Sequence, residues 1–452
     1  MQSPAFQTQP PLPLSEGAVP PPPRVALLKP LAHFDVSPFC EAGETLVHST
    51  AKPFRIDRGS VGFWCGLNKA QSGLMDHAAG SDLIWWTGGL DSPATQRLAV
   101  WRNSIEPHPL TGKNALMMKF PAGGGFVPPD HLLSDGRPHP GAGTGFAMCH
   151  VVAVPLEVFE DSNRAENGTW GRGETVYRCL EVRQIRFEAG AFTISEARRH
   201  HFDEMFPGWL VQNGPLGSAV VVGSELVWTV ACVPDPRGAL DRFDAKGSIG
   251  LSRWGFRDGA WSIHSLVPIA ADFCGYEPSI IRDKNGRFSL TARITGAPES
   301  WDKFGIPVWN STDGGAHWQE AFHAERHRAN SPVTIGATAS GRPFILGNLM
   351  VGGMNQRSLG YSRELLALWL LRPDGSGLES AQILRCGQLD FGPAPTQHGW
   401  KIDHPISTVV EDADGREVCL LTYRVQSSDE NKLKEVGRSP FSGTFVEKLL
   451  IP

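Results

Sequence analysis

A chain of 452 residues, 41% of them hydrophobic and 50 of them glycine, is long enough to bury a large core, and it has no apolar run of membrane-spanning length. Its formal charge of -5 comes without a long basic run, so neither a membrane nor nucleic acid is an expected partner. Fourteen tryptophans against four tyrosines suit a Gly-rich, mostly β fold whose sheets pack face to face.

The first thirty residues, MQSPAFQTQPPLPLSEGAVPPPPRVALLKP, read as a Pro-rich extended arm over 1–30, ahead of a single domain over 31–452. They lack the basic and apolar regions of a secretory signal, so the compartment is unknown from the sequence; a removed leader would make the protein secreted or periplasmic. Between 31 and 210, β-rich stretches at 81–89, 96–103, 146–154 and 175–195 predict at least two four-stranded units. The Gly- and Pro-rich stretch 104–145 reads as a long loop on the rim of a site. His200, His201, Asp203 and Glu204 cluster like metal ligands, but on a helix only His200 and Glu204 share a face, so a polar loop is expected there. The eight cysteines form no C-x-x-C pair and no zinc spacing; Cys179, Cys232 and Cys419 fall within strand patterns as buried free thiols.

From residue 213 on, four segments align on a proline: Asn213-Gly214-Pro215, Tyr276-Glu277-Pro278, Asn330-Ser331-Pro332 and Asp403-His404-Pro405, the prolines lying 63, 54 and 73 residues apart. Each opens two short β-rich strands joined by a turn at Gly223, Asn285-Gly286, Ser340-Gly341 or Asp414-Gly415. Outer strands with their own turns follow at 247–261, 308–318 and 363–377. One four-stranded antiparallel blade per repeat fits this spacing, and with the earlier stretches the count is six, so the fold class is an all-β, six-bladed β-propeller. Inner propeller strands start at one face of the channel. The repeat therefore projects Asn213, Glu277, Asn330, Asp403 and His404 into one funnel, joined by Arg293, Asn348, Tyr423 and Arg424 from the ends of the second strands. Asp403 is the expected polarising partner of the His404 imidazole; because neighbours on a strand point to opposite sides, another residue is the alternative.

Ser311-Thr312-Asp313-Gly314-Gly315-Ala316-His317-Trp318 has the pattern S-x-D-x-G-x-x-W, in which Ser and Asp bond the turn's backbone, Gly315 supplies a positive φ and Trp318 packs beneath. It resembles the Asp-box, or BNR repeat, of the sialidase-like β-propellers, and Arg257-Asp258-Gly259-Ala260-Trp261 reads as a degenerate copy. The stretch from Glu277 to Arg293 is similar, in residue type and spacing, to a sialidase blade in which the Glu assists a tyrosine nucleophile and the Arg helps clamp the substrate carboxylate. Phe54-Arg55-Ile56-Asp57 resembles the family's F/Y-R-I-P motif with Asp in place of Pro, and Arg363 resembles the third clamp arginine. His404 stands where the family's tyrosine would be, and Asp76 or Asp82 matches its acid.

The resemblance implies a glycoside hydrolase of this superfamily other than a sialidase, cleaving an acidic or polyhydroxylated oligosaccharide or polysaccharide. Glu277, His404 and Asp403 would be catalytic, and Arg55, Arg293, Arg363, Asn330, Asn213, Tyr423 and Arg424 would bind substrate. One alternative is a polysaccharide lyase in which His404 or Tyr423 is the base and an arginine neutralises a uronate. Another is a non-catalytic glycan-binding propeller. No phosphate loop, nucleophile elbow or haem motif is present, so neither a cofactor nor a metal is expected.

Overall fold

Turn glycines divide the chain into short antiparallel strands, and apolar side chains on both faces of those strands bury each sheet between two others. The computed structural model describes residues 26–34, 44–71, 74–90, 94–157, 177–205, 209–213, 215–234, 247–273, 275–294, 306–324, 331–338, 340–349, 363–393, 400–412, 414–426 and 443–450. Strand β1 (Ala26–Phe34) comes first and is taken up again at the end of the ring. Blade I holds β2 (Glu44–Asp57), β3 (Ser60–Gln71), β4 (Leu74–Thr87) and β5 (Ala94–Arg102). Blade II holds β6 (Ser104–Pro107), β7 (Asn114–Phe126), β8 (Thr144–Pro155), β9 (Tyr177–Glu188), β10 (Ala191–Ile194) and β11 (Arg198–His200), and helix α1 (Phe202–Met205) follows. Blade III holds β12 (Trp209–Asn213) and β13 (Val220–Val222), which share its inner edge, then β14 (Glu225–Pro234), β15 (Gly247–Arg257) and β16 (Ala260–Phe273). Blade IV is β17 (Gly275–Arg282), β18 (Phe288–Ile294), β19 (Ile306–Ser311) and β20 (Gln319–Ala324). Blade V is β21 (Thr334–Ala337), β22 (Pro343–Asn348), β23 (Leu365–Leu371) and β24 (Leu378–Cys386), followed by α2 (Gly387–Phe391). Blade VI is β25 (Lys401–Glu411), β26 (Glu417–Gln426) and β27 (Gly443–Leu450), with β1 antiparallel to β27 as its fourth strand.

The protein is thus a six-bladed β-propeller whose first described strand completes its last blade. That strand starts at Ala26, inside the stretch read from the sequence as an arm ending at 30. The core lies between blades. Phe146 of blade II stacks on Trp254 of blade III with ring centroids 3.8 Å apart. Phe54 of blade I stacks on its own blade's Trp64 and meets Phe126 of blade II. Leu346, Leu368 and Leu421 join blades V and VI. Interdigitation of this kind, each large ring removing roughly 150–250 Å² from water, holds sheets that share few backbone hydrogen bonds.

The stretch 104–145 corrects its reading as a rim loop, because residues 114–126 form β7, the inner strand of blade II. Its glycines permit close backbone approach rather than a turn: a Cβ on Gly124 would lie 1.9 Å from the Phe146 carbonyl oxygen, and one on Gly145 would lie 2.1 Å from that of Gly125. In the turn of the S-x-D-x-G-x-x-W segment, Asp313 accepts from the Ala316 and His317 amides at 3.1 and 3.0 Å, and Ser311 Oγ accepts from the Gly315 amide at 2.9 Å. The Trp318 indole N–H donates to Gly315 O at 3.1 Å, which ties the ring under the turn. No helix among the described residues is long and apolar enough to cross a membrane.

Candidate active site

Two inner strands break their ladders just where the sequence repeat places its prolines. The register slips between Tyr276 and Ser279 on β17 and between Asp403 and Ile406 on β25. At each bulge the residue before proline takes a left-handed backbone, φ 50° at Glu277 and 51° at His404. A non-glycine residue held there costs about 1–3 kcal/mol and re-aims its side chain.

The bulge removes the divergence that a regular strand gives Asp403 and His404. Alternation fails across it, and Asp403 Oδ1 lies 2.9 Å from His404 Nδ1. Asp403 is fully buried. Arg424 grips it as a fork, Nε to Oδ1 at 2.6 Å and Nη2 to Oδ2 at 2.8 Å, and Arg363 bonds the same carboxylate from blade V. Burial works against that charge, but Arg424, His404 and Arg363 overcome it and hold the carboxyl well below the usual range. The other edge of the imidazole faces Glu277, Nε2 to Oε1 at 3.7 Å, while Arg293 donates to Glu277 Oε2 at 3.1 Å. Burial raises the Glu277 pKa, and Arg293, then His404, more than offset this and bring it down to about 2.

Glu277 and His404 form one wall of a cavity of 150 Å³ at the channel mouth, with Leu216 beside them. Blades I and II form the rest, through Thr50, Lys52, Trp64 and Pro121. Lys52 is buried and donates to Ala122 O at 2.7 Å; burial lowers its pKa to about 8, with the Glu277 charge pulling the other way. Among the described residues, Lys52 and Glu277 are thus the oppositely charged groups that border the cavity, with Arg293 on Glu277 and Arg363 and Arg424 on Asp403 behind it.

Of the residues singled out from the sequence, Glu277, Arg293, Asp403 and His404 meet here, with Arg363 and Arg424 behind Asp403. Tyr423 does not line the cavity. As the strand neighbour of Arg424 it faces the other way, and its hydroxyl donates to Glu447 at 2.7 Å between blades V and VI. Arg55 also lies away from it; three residues along β2 from Lys52, it pairs with Asp130 on the molecule's surface. Asn348 is a clip between blades, donating to Ile402 O at 2.7 Å. Asp82 pairs with Arg102 at 2.6 Å within blade I. The Asn213 backbone sits at a bulge of β12, the Asn213 and Asp76 side chains lie outside the described ones, and Asn330 lies outside the described residues. His200 and Glu204 form an ion pair at 3.4 Å, and among the described residues no group of His, Cys, Asp and Glu could hold a metal.

Sequence reasoning missed Lys52. The signal was partial: Lys52-Pro53 repeats the polar-Pro order of Glu277-Pro278 and His404-Pro405 ahead of a Gly59 turn, but it lies in the middle of β2 with no slip in the ladder there.

No protein-family model and no curated protein matches the chain. Among solved structures, a protein of unknown function from Dyadobacter fermentans aligns over 91% of this chain and 99% of its own at 13% identity, with a TM-score of 0.50. In fold, the chain is a six-bladed β-propeller. A mutant of Trypanosoma rangeli sialidase with trans-sialidase activity aligns over 96% of this propeller and 60% of that chain, at 13% identity and a TM-score of 0.49. Penicillium chrysogenum α-L-arabinanase aligns over 94% and 98%, at 9% identity and a TM-score of 0.46. These are likenesses of fold.

Proposed function

We propose that the propeller cleaves glycosidic bonds of an acidic or highly hydroxylated glycan by hydrolysis at the channel mouth. The observation that carries this reading is the relay Asp403, His404, Glu277: Nδ1 of the imidazole on the buried carboxylate at 2.9 Å, and Nε2 facing Glu277 at 3.7 Å beside the cavity. With Nδ1–H donated to ionised Asp403, the Nε2 lone pair points toward the cavity and takes the proton of an attacking water. Glu277, ionised at any neutral pH, faces the positive charge that develops at the anomeric carbon. Lys52 at the cavity supplies a cation that an anionic sugar can meet.

A second reading, β-elimination from a uronate polymer, is favoured by one observation. Among the described cavity residues Glu277 is the lone carboxylate, whereas glycosidases usually place two. There Nε2 of His404 removes the proton next to the substrate carboxylate and Arg293 offsets that carboxylate's charge.

Purified protein, Glu277→Gln and His404→Ala should be compared on polyuronates, sialylated glycans, arabino-oligosaccharides and aryl glycosides, following reducing ends and near-ultraviolet absorbance together. Hydrolysis gives reducing ends without absorbance, reduced about 10²–10⁴-fold in both folded variants. Absorbance rising in step identifies elimination instead. Binding without turnover in the wild-type protein overturns the enzyme reading.

A further inference from the structure

We propose that Lys52 is the proton donor to the leaving oxygen, a role that rests on the hydrolytic reading above. The argument starts from what a departing sugar needs. As the glycosidic C–O bond breaks, the leaving oxygen must receive a proton, and the titratable groups bordering the cavity among the described residues are Lys52, Glu277 and His404. Glu277 is held as a carboxylate by Arg293 and has no proton to give at neutral pH. In the hydrolytic reading His404, held by Asp403 through Nδ1, is assigned to the attacking water through Nε2 and is not the donor to the leaving oxygen. Lys52 is the remaining group.

Its placement fits. Lys52 lies on the inner strand of blade I and Glu277 on that of blade IV, three blades away in a ring of six, so the two groups border the cavity from opposite sides. A glycosidic bond held between them has its leaving oxygen toward the ammonium and its anomeric carbon toward the carboxylate. Gly123, which takes a φ of 102°, lies beside the lysine: a Cβ there would stand 3.4 Å from Nζ, in ordinary van der Waals contact. Of the three ammonium hydrogens one is committed, to Ala122 O, and no carboxylate of the described residues pairs with Lys52. A buried ammonium without a carboxylate partner is costly to keep, which eases loss of its proton and tunes it toward neutral pH. The step balances. Lys52 gives its proton to the leaving oxygen, water adds to the anomeric carbon and passes a proton to His404, and exchange with solvent restores both groups.

The test uses leaving groups of graded acidity: the 2,4-dinitrophenyl, phenyl and methyl glycosides of glucuronic acid, N-acetylneuraminic acid and L-arabinofuranose, with wild type, Lys52→Met, Lys52→Gln and Lys52→Arg. A dinitrophenolate leaves without help. Lys52→Met and Lys52→Gln are therefore expected to lose about 10²–10⁴-fold in kcat on phenyl and methyl glycosides and little on the dinitrophenyl ones. Lys52→Arg does not rescue, because guanidinium keeps its proton. In the wild type, kcat/KM on the phenyl glycoside falls above about pH 8, a measurement that needs no variant. A loss equal across leaving groups, or rescue by Arg, overturns the inference and makes Lys52 a positioning or charge residue. A wild type silent on every glycoside overturns the hydrolytic reading, and this inference with it.

Discussion

At the scale of single residues, the site is built by two strained backbones. Glu277 and His404 both sit just before a proline with φ near 50°, and each is where its strand slips by a residue. Strain of this kind persists only where the surroundings over-determine it, and here the surroundings are salt links: Arg293 on Glu277, Asp403 on His404, and Arg363 and Arg424 on Asp403. These links give stability a pH dependence. The Glu277 carboxyl drops from an ordinary 4.5 to about 2 on folding, so between those values the unfolded chain binds the proton more readily. Its contribution is complete above about pH 4.5 and is lost as the pH falls through about 2. Urea denaturation of folded Glu277→Gln should therefore show a smaller drop in midpoint between about pH 5 and pH 2 than the wild type. An identical drop would mean that the Arg293 link contributes nothing. The Asp403 links are common to both proteins and cancel.

At the scale of elements, the hairpin turns were legible in the sequence because their chemistry is local. Asp283 and Asp412 each accept a hydrogen bond from the amide four residues on, Arg287 and Arg416, both at 2.9 Å. Thr338 Oγ does the same for Arg342 at 3.0 Å. Gly286, Gly341 and Gly415 follow with φ of 85°, 86° and 76°, which explains why glycine marks the same point of three blades. The inner strand of blade II, β7, was not legible, because glycine has a second use that sequence does not separate from the first. The Gly123-Gly124-Gly125 run lies inside β7, where the Gly124 backbone presses against Phe146. Gly124→Ala should consequently lower stability by about 1–3 kcal/mol in thermal or chemical denaturation, and an unchanged midpoint would show that β7 and β8 can separate at no cost.

At the scale of the whole molecule, six sheets close into a ring through contacts between inner strands and through one exchange of chain ends, β1 on β27. Removing residues 1–34 takes away that strand and leaves the outer edge of β27 unpaired, a template for association with other chains. The truncated protein should unfold at a lower temperature and scatter more light on heating, with a peptide of residues 26–34 restoring part of the loss. Unchanged melting would mean that three strands of blade VI suffice to close the ring.

The sequence by itself determined the blade repeat, the turn residues and the strand openings on which Glu277, Asp403 and His404 lie. Turn chemistry and strand period act over a few residues, so they can be read along the chain. The direction of those side chains was decided only in three dimensions. A bulge put Asp403 and His404 on one side, Tyr423 turned to the interior while Arg424 turned to the channel, and Arg363 and Arg424 were drawn onto Asp403. Lys52 joined His404 at one cavity although 352 positions separate them in the chain. A closed ring brings every inner strand to one axis whatever their separation in sequence, and no local pattern encodes which charges face one another across it.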